Sequence, residues 1–108
     1  MEARTHSQYA ARARVVKAMA HPTRLFVVDE LSQHGQKCVC ELTAMIGADM
    51  STVSRHLAIL KSAGIISDEK RGAQVFYHLT MDCVLKFVKC VDSLACKTAR
   101  DQERLFRN

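Results

Sequence analysis

Apolar residues recur at helical spacing in five segments of the chain and alternate with polar residues in one further segment. The helical segments cover residues 5–19, Pro22 to Gly35, about Glu41 to Ile46, Ser51 to about Ser62, and a stretch beginning near Asp82. Between the last two, residues 65–70 and 74–79 flank a turn at Gly72, which predicts a β-hairpin. The pattern therefore predicts an α+β fold with about five helices and one hairpin.

The third and fourth predicted helices are separated by a very short turn. Gly47 can adopt the left-handed conformation that ends a helix, and Ser51 can cap the helix that follows. Only Gly47 to Met50 lie between the two helices. Two helices joined so tightly, followed by a hairpin, predict a winged helix-turn-helix.

The fourth helix has one apolar face and one small, polar and basic face. Val53, Leu57 and Leu60 fall together on a helical wheel, and the opposite face carries Ser51, Ser54, Arg55, Ala58 and Ser62. Such a face fits the major groove of DNA, where an arginine can donate two hydrogen bonds to guanine. The predicted base or phosphate contacts are Ser51, Thr52, Ser54, Arg55 and the flanking His56.

The predicted hairpin carries Lys70 and Arg71 at its tip, with Gln74 directly after the turn. These side chains can reach an adjacent phosphate backbone or minor groove, where contacts add affinity more than sequence information. The formal net charge of +5 and the pI of about 9.1 agree with an acidic partner. Double-stranded DNA is the partner that this combination predicts.

Length and cysteine content set the remaining bounds. A chain of 108 residues has room for one domain, which we expect to span residues 1–108 and to share a core with a second copy. The five cysteines are an odd number, and the charged N-terminus lacks a signal-peptide core, so we expect a cytoplasmic protein with reduced thiols. No apolar run reaches the length of a membrane span.

Two of the cysteines, Cys38 and Cys40, lie at the start of the third predicted helix. Residues two apart point about 200° away from each other in a regular helix, so joint chelation requires extended backbone there. The positive end of the helix stabilises anions, thiolates included. Thiolates select soft ions such as Cd²⁺, Pb²⁺, Cu⁺ or trivalent arsenic and antimony.

Four stretches together resemble the ArsR/SmtB family of bacterial metal-responsive repressors: KAMAHPTRLFVVDEL, CVCEL, STVSRHLAILKSAGII and RGAQVFYHL. The resemblance implies a homodimer built by the first and last helices, operator DNA as partner, and repression relieved by metal binding. It also implies that Ser51, Thr52, Ser54, Arg55 and His56 lie on the recognition helix, and that Arg71 and Gln74 lie in the wing. It implies no enzymatic activity.

The Cys-Val-Cys sequence at residues 38–40 is similar to that of the arsenic- and cadmium-sensing branches of the family. The effector implied is As(III) or Sb(III), with Cd(II) or Pb(II) as the alternative. Arsenic-responsive members carry a third cysteine where this chain has Thr43, so the third ligand stays open between Cys83, Cys90, Cys96, a small thiol and hydroxide. Zinc sensors of the family place a His and a Glu about three turns into the last helix, where Leu94 to Lys97 of this chain include neither.

The cysteines of the last helix cannot form a site within one helix. Cys83 and Cys90 share a face but lie about 10 Å apart along the axis, whereas two sulfurs on one ion lie within about 4.6 Å. Two partner helices crossing in a dimer could bring them closer. A thiol redox-sensing repressor of the same fold remains a second hypothesis, and a thiol enzyme is disfavoured because the spacing is Cys-x-Cys rather than Cys-x-x-Cys.

Overall fold

A computed structural model of the protein describes residues 1–105, and its elements follow the predicted order of helices and hairpin. The helices are α1 (Ala3–Met19), α2 (Pro22–His34), α3 (Val39–Ile46), α4 (Met50–Ser62) and α5 (Cys83–Leu105), and the strands are β1 (Lys37–Cys38), β2 (Ile66–Arg71) and β3 (Gln74–Leu79). The predicted α+β winged helix-turn-helix is confirmed.

The sheet contains one strand more than the predicted hairpin. Its order is β1-β3-β2 and both pairings are antiparallel, with Cys38 opposite Phe76 and Arg71 opposite Gln74. The prediction of a two-stranded hairpin was incomplete because β1 has only two residues, too few for an alternating pattern. This short strand ties the start of α3 to the wing.

The core lies where α2, α3 and α4 meet the base of the hairpin. Its fully buried side chains include Val27, Val28, Leu42, Val53, Leu57, Leu60 and Ile66. The burial of Val53, Leu57 and Leu60 confirms the predicted apolar face of α4. Because this face is held in the core, the opposite face of α4 is fixed towards solvent.

Three predicted helix starts were one to two residues too late, including that of α1, which begins at Ala3 rather than at residue 5. The cap of α4 is Asp49 rather than Ser51, because the Asp49 carboxylate accepts a hydrogen bond from the backbone N–H of Thr52 at 3.2 Å. The third helix begins at Val39 rather than Glu41, because Cys38 acts as its cap. Gly47 has the predicted left-handed conformation, with φ of 78°.

Helices α1 and α5 each leave an apolar face in solvent. The exposed apolar side chains are Tyr9, Val15 and Val16 on α1 and Phe87, Val91, Leu94 and Leu105 on α5. Only Val88 of α5 is buried within one copy of residues 1–105. Across the same residues, every helix is too short or too polar to cross a membrane.

Candidate DNA-binding surface and thiol site

The outward face of α4 presents the side chains predicted to contact DNA. Ser51, Ser54 and Arg55 are exposed, and Thr52 is half-buried near the N-terminus of the helix. None of these side chains is bulky except Arg55, so the backbone of α4 can approach base edges closely. This surface has the shape and polarity that a major-groove helix needs.

Asp49 orders the first turn of this helix, although the sequence-based reasoning did not single it out. Its carboxylate accepts hydrogen bonds from the hydroxyls of Ser51 and Thr52, each at 2.6 Å. These two hydroxyls, with the Thr52 N–H, lower the pKa of Asp49 to about 2. With their protons held by Asp49, Ser51 and Thr52 are left to accept hydrogen bonds, for example from base amino groups.

His56 lies against α2 rather than on the fully exposed face. Its ring centroid is 4.4 Å from that of His21, and its Nδ1 is 3.3 Å from Nη1 of Arg24. Burial lowers the pKa of His56, and the charges of His21, Arg24 and Arg55 lower it further. His21 also accepts a hydrogen bond from the backbone N–H of Thr23, so this contact joins the start of α2 to α4.

The wing tip holds Arg71 in a defined position. Its Nη2 is 3.0 Å from a carboxylate oxygen of Glu69, and its guanidinium lies 5.0 Å from the ring centroid of Phe76. Gln74 lies opposite Arg71 in the hairpin and is exposed, as Lys70 is. The wing therefore presents two cations and one amide beside the recognition helix.

A second ion pair connects α4 to β2 of the wing. Nζ of Lys61, in the last turn of α4, lies 3.0 Å from Oδ2 of Asp68 on β2. The Asp68 carboxylate raises the pKa of Lys61 through this hydrogen bond and through its charge. The pair joins the recognition helix to the base of the wing.

Cys38 occupies a capping position at the start of α3. Its Sγ accepts a hydrogen bond from the backbone N–H of Glu41 at 3.4 Å, and its own N–H donates to Oε1 of Glu41 at 3.2 Å. The Cys38 N–H is the main cause of the lowered pKa of Glu41, with the Cys38 side chain and Lys37 adding to it. The Cys38 sulfur thus helps to cap the N-terminus of α3.

The two thiols differ in exposure. Cys38 is 5% exposed, whereas Cys40, one residue into α3, is exposed. The backbone at Cys38 is extended, with φ of −79° and ψ of 160°, so the segment departs from a regular helix at this residue. Two sulfurs are donors that a thiophilic ion prefers. The sulfur of Cys40 belongs to an exposed side chain, and that of Cys38 lies at the cap of α3.

The cysteines of α5 do not complete this site within one chain. Cys83, Cys90 and Cys96 are exposed on α5. In the part of the chain that the structure describes, no three His, Cys, Asp or Glu side chains lie close enough together to hold one metal ion. A metal site at Cys38 and Cys40 would therefore need a further ligand from another molecule or another copy.

Residues 21–68 match the model of a family described as bacterial regulatory protein, arsR family. An uncharacterised HTH-type transcriptional regulator of Methanocaldococcus jannaschii is 38% identical over 81% of this chain and 98% of its own length. The arsenical resistance operon repressor of Escherichia coli is 37% identical over 70% of this chain, and the match covers 65% of that repressor.

Among solved structures, the chain is similar to a homodimeric winged helix-turn-helix DNA-binding domain from Mycobacterium bovis, described as a possible ArsR-family transcriptional regulator. The TM-score is 0.80 at 27% sequence identity, with 94% of this chain and 93% of that chain covered. The likeness extends over nearly all the elements described above, including the two terminal helices.

Proposed function

The chain belongs to the ArsR family of DNA-binding transcriptional regulators, and on that basis we propose that it is a homodimeric repressor released from operator DNA by a thiophilic metalloid. Members of this family regulate transcription and are not enzymes. The proposed trigger is As(III) or Sb(III) bound at Cys38 and Cys40. Cd(II) or Pb(II) at the same thiols is the alternative.

The proposed DNA contacts follow from the exposed face of α4 and the charged wing. Arg55 reads a guanine in the major groove, Ser51, Thr52 and Ser54 contact base edges or phosphates, and Arg71 and Gln74 contact the neighbouring backbone. His56 supports the helix from behind through His21 and Arg24, and reaches DNA only at the edge of this surface.

The proposed dimer is supported by the apolar faces that α1 and α5 leave exposed. Tyr9 and Val16 on α1, with Phe87 and Leu94 on α5, form a surface that one copy cannot bury by itself. The similar domain from Mycobacterium bovis is described as homodimeric. A two-fold dimer would place its two α4 helices in successive major grooves, about 34 Å apart.

The observation that carries the proposed regulation is the capping role of Cys38. Binding of its sulfur to a metalloid withdraws that sulfur from the Glu41 N–H, which weakens the start of α3. Helix α3 packs against α4, and β1, which ends at Cys38, pairs with β3 of the wing. Ligation at Cys38 therefore acts on both DNA-contacting elements.

The proposed choice of effector rests on the ligand count. Two thiolates are fewer than the four ligands of a closed tetrahedral zinc-type site, so a small thiol or hydroxide can complete the coordination. A cysteine of the partner's α5 is the alternative third ligand, from among Cys83, Cys90 and Cys96. The similarity to a repressor of an arsenical resistance operon favours the metalloid over the divalent ions.

The test is a DNA-release experiment under strict anaerobic conditions. A labelled duplex, selected from a random-sequence library, is titrated with reduced protein, and arsenite, antimonite or Cd²⁺ is then added with and without glutathione. Coupling of about 1 to 3 kcal/mol predicts a 5- to 150-fold loss of affinity. We expect Cys38→Ser/Cys40→Ser to bind the duplex but to lose the response. Cys83→Ser, Cys90→Ser and Cys96→Ser are tested singly: a variant that loses the response identifies the third ligand, and retention of the response in all three assigns the third ligand to a small thiol or hydroxide.

Three results would contradict the proposal in different ways. Release that persists in Cys38→Ser/Cys40→Ser would place the effector elsewhere. Release only after exposure to an oxidant would identify a redox sensor. Oxidation of two thiols to a disulfide needs an electron acceptor, and arsenite without oxygen binds thiols but does not oxidise them. Failure of the reduced protein to select any duplex would overturn DNA binding itself.

A further inference from the structure

A groove of about 730 Å³ runs between α1 and α4, on the side of the recognition helix that faces the N-terminal helix. Its floor is apolar and includes Val15 and Ala18 of α1 and Ile59 of α4. Val15 is 38% exposed and Ile59 is 37% exposed, so both floor residues stay open to solvent in one chain. The volume falls in the range of pockets that hold small organic ligands.

The rim of this groove is basic. It carries Arg14 and Lys17 from α1, Arg24 from α2 and Arg55 from α4, and no carboxylate lines it. None of these four cations forms an ion pair with an Asp or Glu within residues 1–105. In addition, Nε of Arg24 is buried and has no hydrogen-bond partner in the described part of the chain. The local charge therefore calls for an anionic partner.

The groove lies on a different face of α1 from the contact proposed for the dimer. Val15, the exposed floor residue of α1, lies about 120° and 100° around the helix from Tyr9 and Val16, the residues assigned to the dimer. Ala18, also on the floor, lies about 180° and 160° from them. A contact centred on Tyr9 and Val16 therefore leaves the Ala18 side of α1 to the groove.

We propose that this groove between α1 and α4 binds a small amphipathic organic anion, such as a medium-chain carboxylate, and that the bound anion competes with DNA for Arg55. The apolar part of such a ligand covers Val15 and Ile59. Its carboxylate pairs with Arg55 and with Arg14 and Lys17 on the rim, so Arg55 is no longer free to contact DNA. The phosphate backbone of DNA could pair with the rim cations, but it has no apolar part that could cover Val15 and Ile59 on the floor.

The groove is a second effector site, separate from the thiols. Neither Cys38 nor Cys40 lines it, so anion binding does not depend on metalloid chemistry. The effect on DNA does rest on the proposed function, because it requires that Arg55 contacts the duplex. Ligand binding and DNA competition are therefore measured separately.

The binding test uses the fluorescence of 8-anilinonaphthalene-1-sulfonate, an aromatic anion, with full-length protein and no DNA. We expect the dye to bind and decanoate to displace it. Arg14→Ala/Lys17→Ala should weaken dye binding about tenfold, as two partly solvated charge contacts allow. Ala11→Trp, which fills the groove from α1 and leaves every charge in place, should abolish it.

Matched controls separate the groove from general charge and from the thiol site. Lys86→Ala/Lys89→Ala removes two positive charges from exposed positions of α5 outside the groove, and it should leave dye binding unchanged. Cys38→Ser/Cys40→Ser should also bind the dye normally. Thermal unfolding by circular dichroism checks that each variant is folded. If one of the two groove variants, Arg14→Ala/Lys17→Ala or Ala11→Trp, fails to fold, the other still tests the site.

Competition is measured by adding decanoate to the protein–duplex complex, and a loss of duplex affinity in wild type but not in Ala11→Trp supports the proposal. Equal dye binding by wild type, Arg14→Ala/Lys17→Ala and Ala11→Trp would overturn the site. Weaker duplex binding by Arg14→Ala/Lys17→Ala, with dye binding unchanged, would instead identify the rim as a phosphate contact. Decanoate binding that leaves duplex affinity unchanged would overturn the competition.

Discussion

Cys38 lies directly opposite Phe76 in the antiparallel pairing of β1 with β3, and Phe76 in turn supports the guanidinium of Arg71 at 5.0 Å from its ring centroid. One aromatic side chain is therefore shared between the strand that carries the thiol and the cation at the wing tip. We therefore predict that a change in the position of Cys38 is transmitted to the wing through this residue pair.

Phe76→Leu tests this connection. Leucine keeps an apolar residue in β3 but removes the ring beneath Arg71, so we expect duplex affinity to fall about two- to fivefold through loss of the cation–π contact. The loss of affinity caused by arsenite should become smaller, while arsenite still binds. Fluorescence anisotropy with and without arsenite measures both effects, and Phe26→Leu on α2 is the control. An unchanged response in Phe76→Leu would assign the coupling to α3 alone.

The two thiols should differ in their effect on stability. Cys38→Ala removes both a buried side chain and the cap on Glu41, so it should lower the free energy of unfolding by about 1 to 2 kcal/mol. Cys38→Ser keeps an acceptor at the cap and should cost less. Cys40→Ala, at an exposed site, should stay within about 0.5 kcal/mol of wild type. Urea unfolding measures all three, and equal losses for Cys38→Ala and Cys40→Ala would contradict the capping role.

The sequence predicted those parts of the fold that depend on local periodicity. The spacing of Val53, Leu57 and Leu60 identifies the buried face of α4, and the remaining positions of that helix are then outward by geometry. Gly47 likewise marks the end of α3, because the backbone there has a positive φ, which glycine adopts without steric strain. The position of the thiols at a helix start follows from the same boundaries.

Features that depend on contacts distant in sequence could not be predicted in this way. The pairing of Cys38 with Phe76 and the contact between His21 and His56 join residues 38 and 35 positions apart, and neither follows from a local pattern. Asp49 did carry a local signal, since its carboxylate precedes Thr52 by three residues, but Ser51 offered a competing cap. The α1–α4 groove arises from helix packing, and its basic rim is scattered over three helices.

Acidification should destabilise the protein through His56. Burial, together with His21, Arg24 and Arg55, holds the pKa of His56 below its ordinary value of 6.5 in the folded state. Above that value both the folded and the unfolded state are neutral at this residue, so it has no effect on stability. As the pH falls below 6.5, the unfolded chain takes up the proton more readily, and the folded state loses stability.

His56→Gln should remove part of this acid sensitivity, because glutamine keeps a polar side chain without titrating. The melting temperature measured between about pH 7.5 and pH 5 should decline less in this variant than in wild type. His6→Gln, at an exposed position of α1, is the matched control and should follow wild type. A decline of equal slope in His56→Gln would show that other groups cause the acid sensitivity.

Removal of each of the two arginines proposed to contact DNA should have a different effect on binding. Arg55→Ala, on the recognition helix, should cost about 1 to 3 kcal/mol on the selected duplex and relax the preference at one base pair, because a bidentate base contact is lost. Arg71→Ala, in the wing, should weaken all duplexes by a similar factor and reduce the slope of log affinity against log salt by about 1.

Glu69 supplies the control for the wing, because its carboxylate pairs with Arg71 at 3.0 Å in the free protein. Glu69→Ala leaves the Arg71 charge uncompensated, so it should raise the affinity for all duplexes and steepen the salt dependence, opposite to Arg71→Ala. Affinities measured at several salt concentrations, on selected and scrambled duplexes, separate these cases. A loss of base preference in Arg71→Ala, or a uniform loss in Arg55→Ala, would reverse the roles of helix and wing.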